Sequence, residues 1–83
     1  MFLVYEENHI PGCDTVENFA LFTEEKNALT YMENRKQHYL AKTGFSVPDS
    51  LDEDTDGICV KFIDYDGTDA GKIFIRFAKV DPQ

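Results

Sequence analysis

The segment that decides the fold is ICVKFIDYDGTDAGKIFIRFAKV, which runs from Ile58 to Val80. Apolar and polar side chains alternate in Ile58–Tyr65 and again in Lys72–Val80, as in strands with one buried face. The residues between them, Asp66–Gly71, are rich in glycine and aspartate, which favour a chain reversal. We therefore predict an antiparallel hairpin of two strands, Ile58–Tyr65 and Lys72–Val80.

A helix is predicted upstream of this hairpin, at residues 24–42. Thr23 is a favoured N-cap, and two glutamates follow it in the first turn, where the helix dipole favours negative charge. Apolar side chains then recur at helical spacing, and the aliphatic stem of Arg35 or Lys36 bridges the one gap. Positive residues fill the C-terminal half, and Gly44 provides a stop signal.

Two further strands precede the helix, Phe2–Glu6 and Val16–Phe22, because both are rich in aromatic and aliphatic residues. The acidic residues Ser46–Asp56 are predicted as a loop. The element order is then β-β-α-β-β in one domain, residues 1–83, since 83 residues allow no more. The predicted fold is α+β, with a mainly antiparallel four-stranded sheet and one helix packed on one face.

A single helix covers only one face of such a sheet. Monomers rarely expose an apolar patch above roughly a few hundred Å². The uncovered face therefore predicts a protein partner, or alternatively a homodimer through that face. The residues expected to supply it are several of Leu3, Tyr5, Phe19, Leu21, Ile63, Tyr65 and Phe74.

Charge is distributed unevenly along the chain. There are 16 acidic and 8 basic residues, and residues 49–69 hold eight acids against one base. Because phosphate neutralisation needs a basic surplus, we expect no direct nucleic-acid binding. An acidic surface instead steers association with a positively charged partner protein, although acidity also serves solubility. The residues predicted to contact the basic surface of a partner are Asp52, Glu53, Asp54, Asp56, Asp64, Asp66 and Asp69.

Part of the acidic segment resembles a calcium loop. Asp52–Gly57, DEDTDG, matches Asp-x-Asp-x-Asp-Gly, in which alternate carboxylates converge on one hard cation. The twelfth position of an EF-hand loop would be Ile63, where a glutamate is required, so a true EF-hand is excluded. A divalent-metal module using residues 52–56 stays an alternative.

Other motifs for chemistry are missing from the sequence. There is no P-loop, no Gly-x-Gly-x-x-Gly and no Gly-x-Ser-x-Gly, so we expect neither an enzyme nor a cofactor. The apolar start, residues 1–5, is too short for a signal peptide or a membrane span. Cys13 and Cys59 lie far apart, and reduced thiols in a cytoplasmic protein are the expectation.

The run FTEEKNALTYM, Phe22–Met32, follows an aromatic strand pair. In this respect residues 2–40 resemble small phage-encoded proteins of unknown function, which open with a Val-Tyr strand and continue through a helix with this start. The acidic segment 46–56 departs from that pattern. The resemblance implies an accessory protein, such as an inhibitor of host defence or of a nucleic-acid enzyme. We thus expect a small, acidic, non-enzymatic protein that modulates a partner by occluding its basic surface.

Overall fold

The structure, a computed structural model, describes residues 1–10, 12–41, 46–54 and 57–80. The described residues form a single antiparallel sheet in the order β2-β1-β5-β4-β3, with one helix on one face. The α+β class is confirmed, but the prediction of a four-stranded sheet is wrong, because five strands are present. The elements are β1 (Phe2–Ile10), β2 (Cys13–Phe22), α1 (Glu25–Leu40), β3 (Ser46–Asp54), β4 (Gly57–Asp64) and β5 (Asp69–Lys79).

The strand that sequence reasoning missed is β3, which occupies most of the predicted loop Ser46–Asp56. Proline and acidic residues have low strand propensity, so the segment gives no strand signal of its own. It is nevertheless paired along β4, with Leu51 opposite Val60, and its register shifts between Pro48 and Ser50. An edge strand tolerates proline at such an irregularity, and its acids discourage pairing with other chains. Residues 55–56 of the predicted loop lie outside the described part of the chain.

The N-terminal hairpin is longer than predicted. β1 continues to Ile10 and β2 starts at Cys13, so most residues between the two predicted strands are paired, with His9 opposite Asp14. Residues 13–19 are all exposed, which explains why β2 shows no alternation of apolar and polar residues there. A bulge interrupts the pairing near Asn18, whose φ of 58° is left-handed.

The core lies between α1 and the sheet. The predicted helix 24–42 is confirmed at Glu25–Leu40, and its predicted stop at Gly44 lies outside the described residues. None of the described residues form a helix with the length and hydropathy needed to cross a bilayer. The buried apolar side chains are Ala28, Met32 and Tyr39 of the helix and Val4, Ile58, Val60, Phe62, Ile73 and Ile75 of the strands.

Candidate functional site

The face of the sheet opposite α1 is the candidate binding site, and we call it the open face. Strand register places its side chains in rows that cross the strands. One row joins Leu21, Leu3 and Ala78, and the next brings Tyr5 beside Arg76. The following rows are Val16, Glu7, Phe74, Cys59 and Asp52, and then Asp14, His9, Lys72, Lys61 and Ser50.

One end of the open face is apolar. The rings of Tyr5 and Phe19 stack with their centroids 5.6 Å apart. Phe19 is 63% exposed and Leu21 is 60% exposed, although both are large apolar side chains. Exposed aromatic and aliphatic groups that adjoin one another are a candidate contact surface. We call this region the apolar end; it comprises Leu3, Tyr5, Phe19, Leu21 and Ala78.

The prediction for the uncovered face can be compared with these positions residue by residue. Strand alternation and register place six of the seven expected side chains on the open face. Tyr65 is the exception, because it lies in the turn after β4, where it is 86% exposed. The six are Leu3, Tyr5, Phe19, Leu21, Ile63 and Phe74.

The middle of the open face carries a group of cations, which we call the basic cluster: Lys61, Lys72 and Arg76. Lys61 lies directly opposite Lys72 in the β4–β5 register. The guanidinium carbon of Arg76 lies 4.2 Å from the centroid of the Phe74 ring, and Lys72 Nζ lies 5.3 Å from it. Arg76 Nε also donates to Glu7 Oε1 at 3.2 Å.

The basic cluster surrounds a hollow of about 410 Å³ between β3, β4 and β5. Its other charged lining residues are Asp52 and Asp54. Burial raises the pKa of the Cys59 thiol in the same hollow. A raised pKa disfavours the thiolate, so this cysteine is a poor nucleophile. The charged side chains of the hollow, rather than the Cys59 thiol, are therefore its candidate binding groups.

Three of the predicted docking acids shape turns by accepting backbone N–H groups. Asp54 Oδ1 accepts from the Gly57 N–H at 3.0 Å. Asp66 and Asp69 accept in the same way from Thr68 and Gly71, each at 2.9 Å. Bonding to Thr68 lowers the pKa of the Asp66 carboxyl. Turn chemistry thus accounts for the residue type at these three positions.

The remaining docking acids are spread over the fold. Glu53 Oε1 accepts from Lys36 Nζ at 3.0 Å, beside the helix. Asp64 accepts from the Ser46 hydroxyl at 3.3 Å, and Asp52 lines the hollow of the basic cluster. Asp56 lies outside the described residues. The acids of β3 and those after β4 are separated by the eight residues of β4, roughly 26 Å, so they do not form one surface.

A metal site is not formed by the residues that the structure describes. Among them, no three histidine, cysteine, aspartate or glutamate side chains come together as ligands for an ion. The proposed 52–56 site includes two undescribed positions, 55 and 56, and stays a prediction. Cys13 and Cys59 are free thiols.

The charged group that sequence reasoning missed is Glu6, which is 1% exposed beneath α1. Its carboxylate accepts hydrogen bonds from Arg35 Nε at 2.5 Å, from Arg35 Nη2 at 3.1 Å and from Asn18 Nδ2 at 3.1 Å. The Tyr39 hydroxyl donates to it as well. The signal was present in the alternation, since Glu6 shares a face with Phe2 and Val4.

The hydrogen bonds and charges of this network shift the pKa values of its carboxyl and hydroxyl groups. Burial works to raise the pKa of Glu6, but the bonds from Arg35, Tyr39 and Asn18 outweigh it and lower the pKa. Burial and the adjoining Glu6 carboxylate raise the pKa of Tyr39 to about 12. The network connects α1 to β1 and β2, and so fixes the helix on the sheet.

No protein family, curated protein or solved structure gives a significant match to this chain. The resemblance of residues 2–40 to small phage-encoded proteins therefore stays a prediction.

Proposed function

We propose that this is a non-enzymatic binding protein whose open face docks on a partner protein and occludes part of its surface. One observation carries the proposal. The helix covers one face of the sheet, whereas Phe19 and Leu21 on the other face are 63% and 60% exposed.

The composition of the apolar end supports a protein as the partner. Protein interfaces place aromatic and aliphatic anchors at their centre and polar groups at the rim. Tyr5 and Phe19 are anchors of this kind, and their mutual stacking limits the rotamer entropy lost on binding. The acidic edge strand β3 runs along the far rim of the sheet, which favours a partner with basic side chains opposite it.

The test compares two variants in capture from a lysate. In F19S/L21S the apolar end is made polar, and in L29S an apolar side chain of α1 that is 49% exposed is changed in the same way. All three forms should melt within a few degrees of one another, since the changed side chains are exposed. A protein retained by the wild type should be retained by L29S and lost by F19S/L21S.

The expected loss of affinity in F19S/L21S depends on how much Phe19 and Leu21 contribute to binding. Loss of two central anchors weakens binding by at least about 30-fold, or about 2 kcal/mol, if they are hot spots. Equal retention by both variants would contradict the proposal.

A second copy of the chain is the competing occupant. Light scattering of the wild type at micromolar concentration distinguishes it. A dimer that F19S/L21S dissociates and L29S preserves would show that the open face binds itself, and the proposed partner protein would be abandoned.

A further inference from the structure

We infer that the hollow lined by the basic cluster receives an acidic segment of the partner protein, one that presents aspartate or glutamate side chains. This inference rests on the proposed function, because it names the chemistry of the partner at one point of the open face. The hollow lies in the middle of that face and shares it with the apolar end, so one partner would contact both.

Two lysines face each other across β4 and β5. Like charges directly opposite each other destabilise an antiparallel sheet. Lys61 and Lys72 are so placed, and both are exposed. Neither ammonium has an ion-pair partner among the described residues, although the chain has twice as many acids as bases. A bound carboxylate would relieve this repulsion, and the fold itself gains nothing from the pair.

Arg76 has donors that are not engaged within the described part of the chain. Its Nε donates to Glu7, and among the described residues no acceptor bonds its two terminal nitrogens. Its guanidinium carbon lies 4.2 Å from the centroid of the Phe74 ring, a cation–π contact that restrains the side chain. A guanidinium whose terminal nitrogens are not engaged suits bidentate recognition of a carboxylate. The lining of the hollow holds three cations and two carboxylates, Asp52 and Asp54. Because Arg76 is already paired with Glu7, the two lysines are the cations that a ligand carboxylate would meet.

A protein segment fits this hollow better than a nucleic acid. Single-stranded nucleic acids bind where aromatic rings offer free faces for stacking. Arg76 and Lys72 lie over the ring of Phe74, and the His9 ring meets it edge-on at 5.3 Å. The net charge of −8 would also repel a long polyanion, whereas a short acidic segment places its charge only at the cluster.

The test uses a synthetic peptide of consecutive glutamates flanked by leucines, with its glutamine analogue as the ligand control. Binding is followed by NMR through the backbone amides of β4 and β5 at low ionic strength. K61Q/K72Q is compared with K26Q/K79Q, which removes the same charge at exposed sites outside the cluster. We expect shifts around the hollow with the glutamate peptide alone. Affinity should fall at least about tenfold in K61Q/K72Q and less than about twofold in K26Q/K79Q.

Three results would overturn the inference: absence of shifts around the hollow, equal weakening in both double variants, or tighter binding of single-stranded oligothymidylate than of the peptide. Failure here is separable from failure of the proposed function. A partner still captured by the wild type and lost by F19S/L21S would preserve the docking role of the open face, while the acidic chemistry assigned to the partner would be wrong.

Discussion

The substitution Glu6→Gln tests the most demanding feature of the core, the ion pair beneath the helix. The glutamine keeps the shape of the side chain, but it replaces one acceptor oxygen by an amide that donates. The Glu6 carboxylate accepts from Arg35 through two nitrogens, so the amide must face a donor on at least one side. Arg35 is then left with its charge unpaired inside the protein.

The expected loss follows from the burial of the two partners. Removing one member of a buried ion pair costs about 3–5 kcal/mol. Arg35 keeps 25% of its side-chain exposure, so water compensates for part of the loss, and we expect about 2–3 kcal/mol. The whole domain of 83 residues has roughly 4–12 kcal/mol of stability at typical values per residue. A single atom exchange would thus remove a large fraction of it.

Urea unfolding followed by circular dichroism measures this loss by linear extrapolation. The matched control is Glu7→Gln on the same strand, whose partner Arg76 lies on the open face; it should cost less than about 1 kcal/mol. A second variant, Glu6→Leu/Arg35→Met/Tyr39→Phe, removes three members of the network together and leaves only Asn18, which is exposed to water. It should stay within about 1 kcal/mol of the wild type, because apolar residues can replace a buried pair. A Glu6→Gln variant no less stable than Glu7→Gln would refute the assigned role.

Three further outcomes are expected. The lowered pKa of Glu6 means that its contribution is present above its ordinary value of 4.5 and lost as pH falls through the folded value, so acidification should destabilise the wild type more than Glu6→Gln in urea titrations. The pKa of Tyr39 is raised to about 12, so the neutral hydroxyl contributes stability that is fully present below pH 10 and is lost as pH rises through 12. Rapid ultraviolet titration should show one late-ionising tyrosine, and Tyr39→Phe should lack it. Gly57→Ala should lower the free energy of unfolding in urea by about 2 kcal/mol or more, because a Cβ there would lie 2.1 Å from the Ile75 carbonyl oxygen. The control Gly67→Ala meets no atom within 4 Å and should cost about 1 kcal/mol for its φ of 85°. Equal losses of stability would contradict the steric explanation.

The parts of the fold that the sequence predicts are those in which the spacing of apolar residues shows which side is buried. The helix and the strands β4 and β5 follow from periodicity, because one side of each faces the core. β3 could not be found in this way, since it lies at the edge of the sheet and its acids face solvent or the helix rim. Only its pairing with β4 makes it a strand, and pairing is a long-range property that local propensity does not contain.

The same distinction applies to the candidate site. The open face was predictable, because a single predicted helix can cover only one of the two faces of a sheet. The basic cluster was not, because Lys61 and Lys72 belong to different strands and only their register brings them together. Strand alternation placed Glu6 on the buried face. Its helical partner, Arg35, could not be identified without knowing how the helix packs on the sheet.

The first and last strands along the chain, β1 and β5, are antiparallel neighbours in the sheet, from Phe2 opposite Lys79 to His9 opposite Lys72. The amino group of Met1 donates to the Val80 carbonyl, so the start of β1 and the end of β5 lie side by side. A pulling force applied at Met1 and Val80 would load the β1–β5 hydrogen bonds in unzipping geometry, one after another, and not in shear, where all of them bear the force together. Such a protein would give way at low force when stretched, even if it resists heat or urea well.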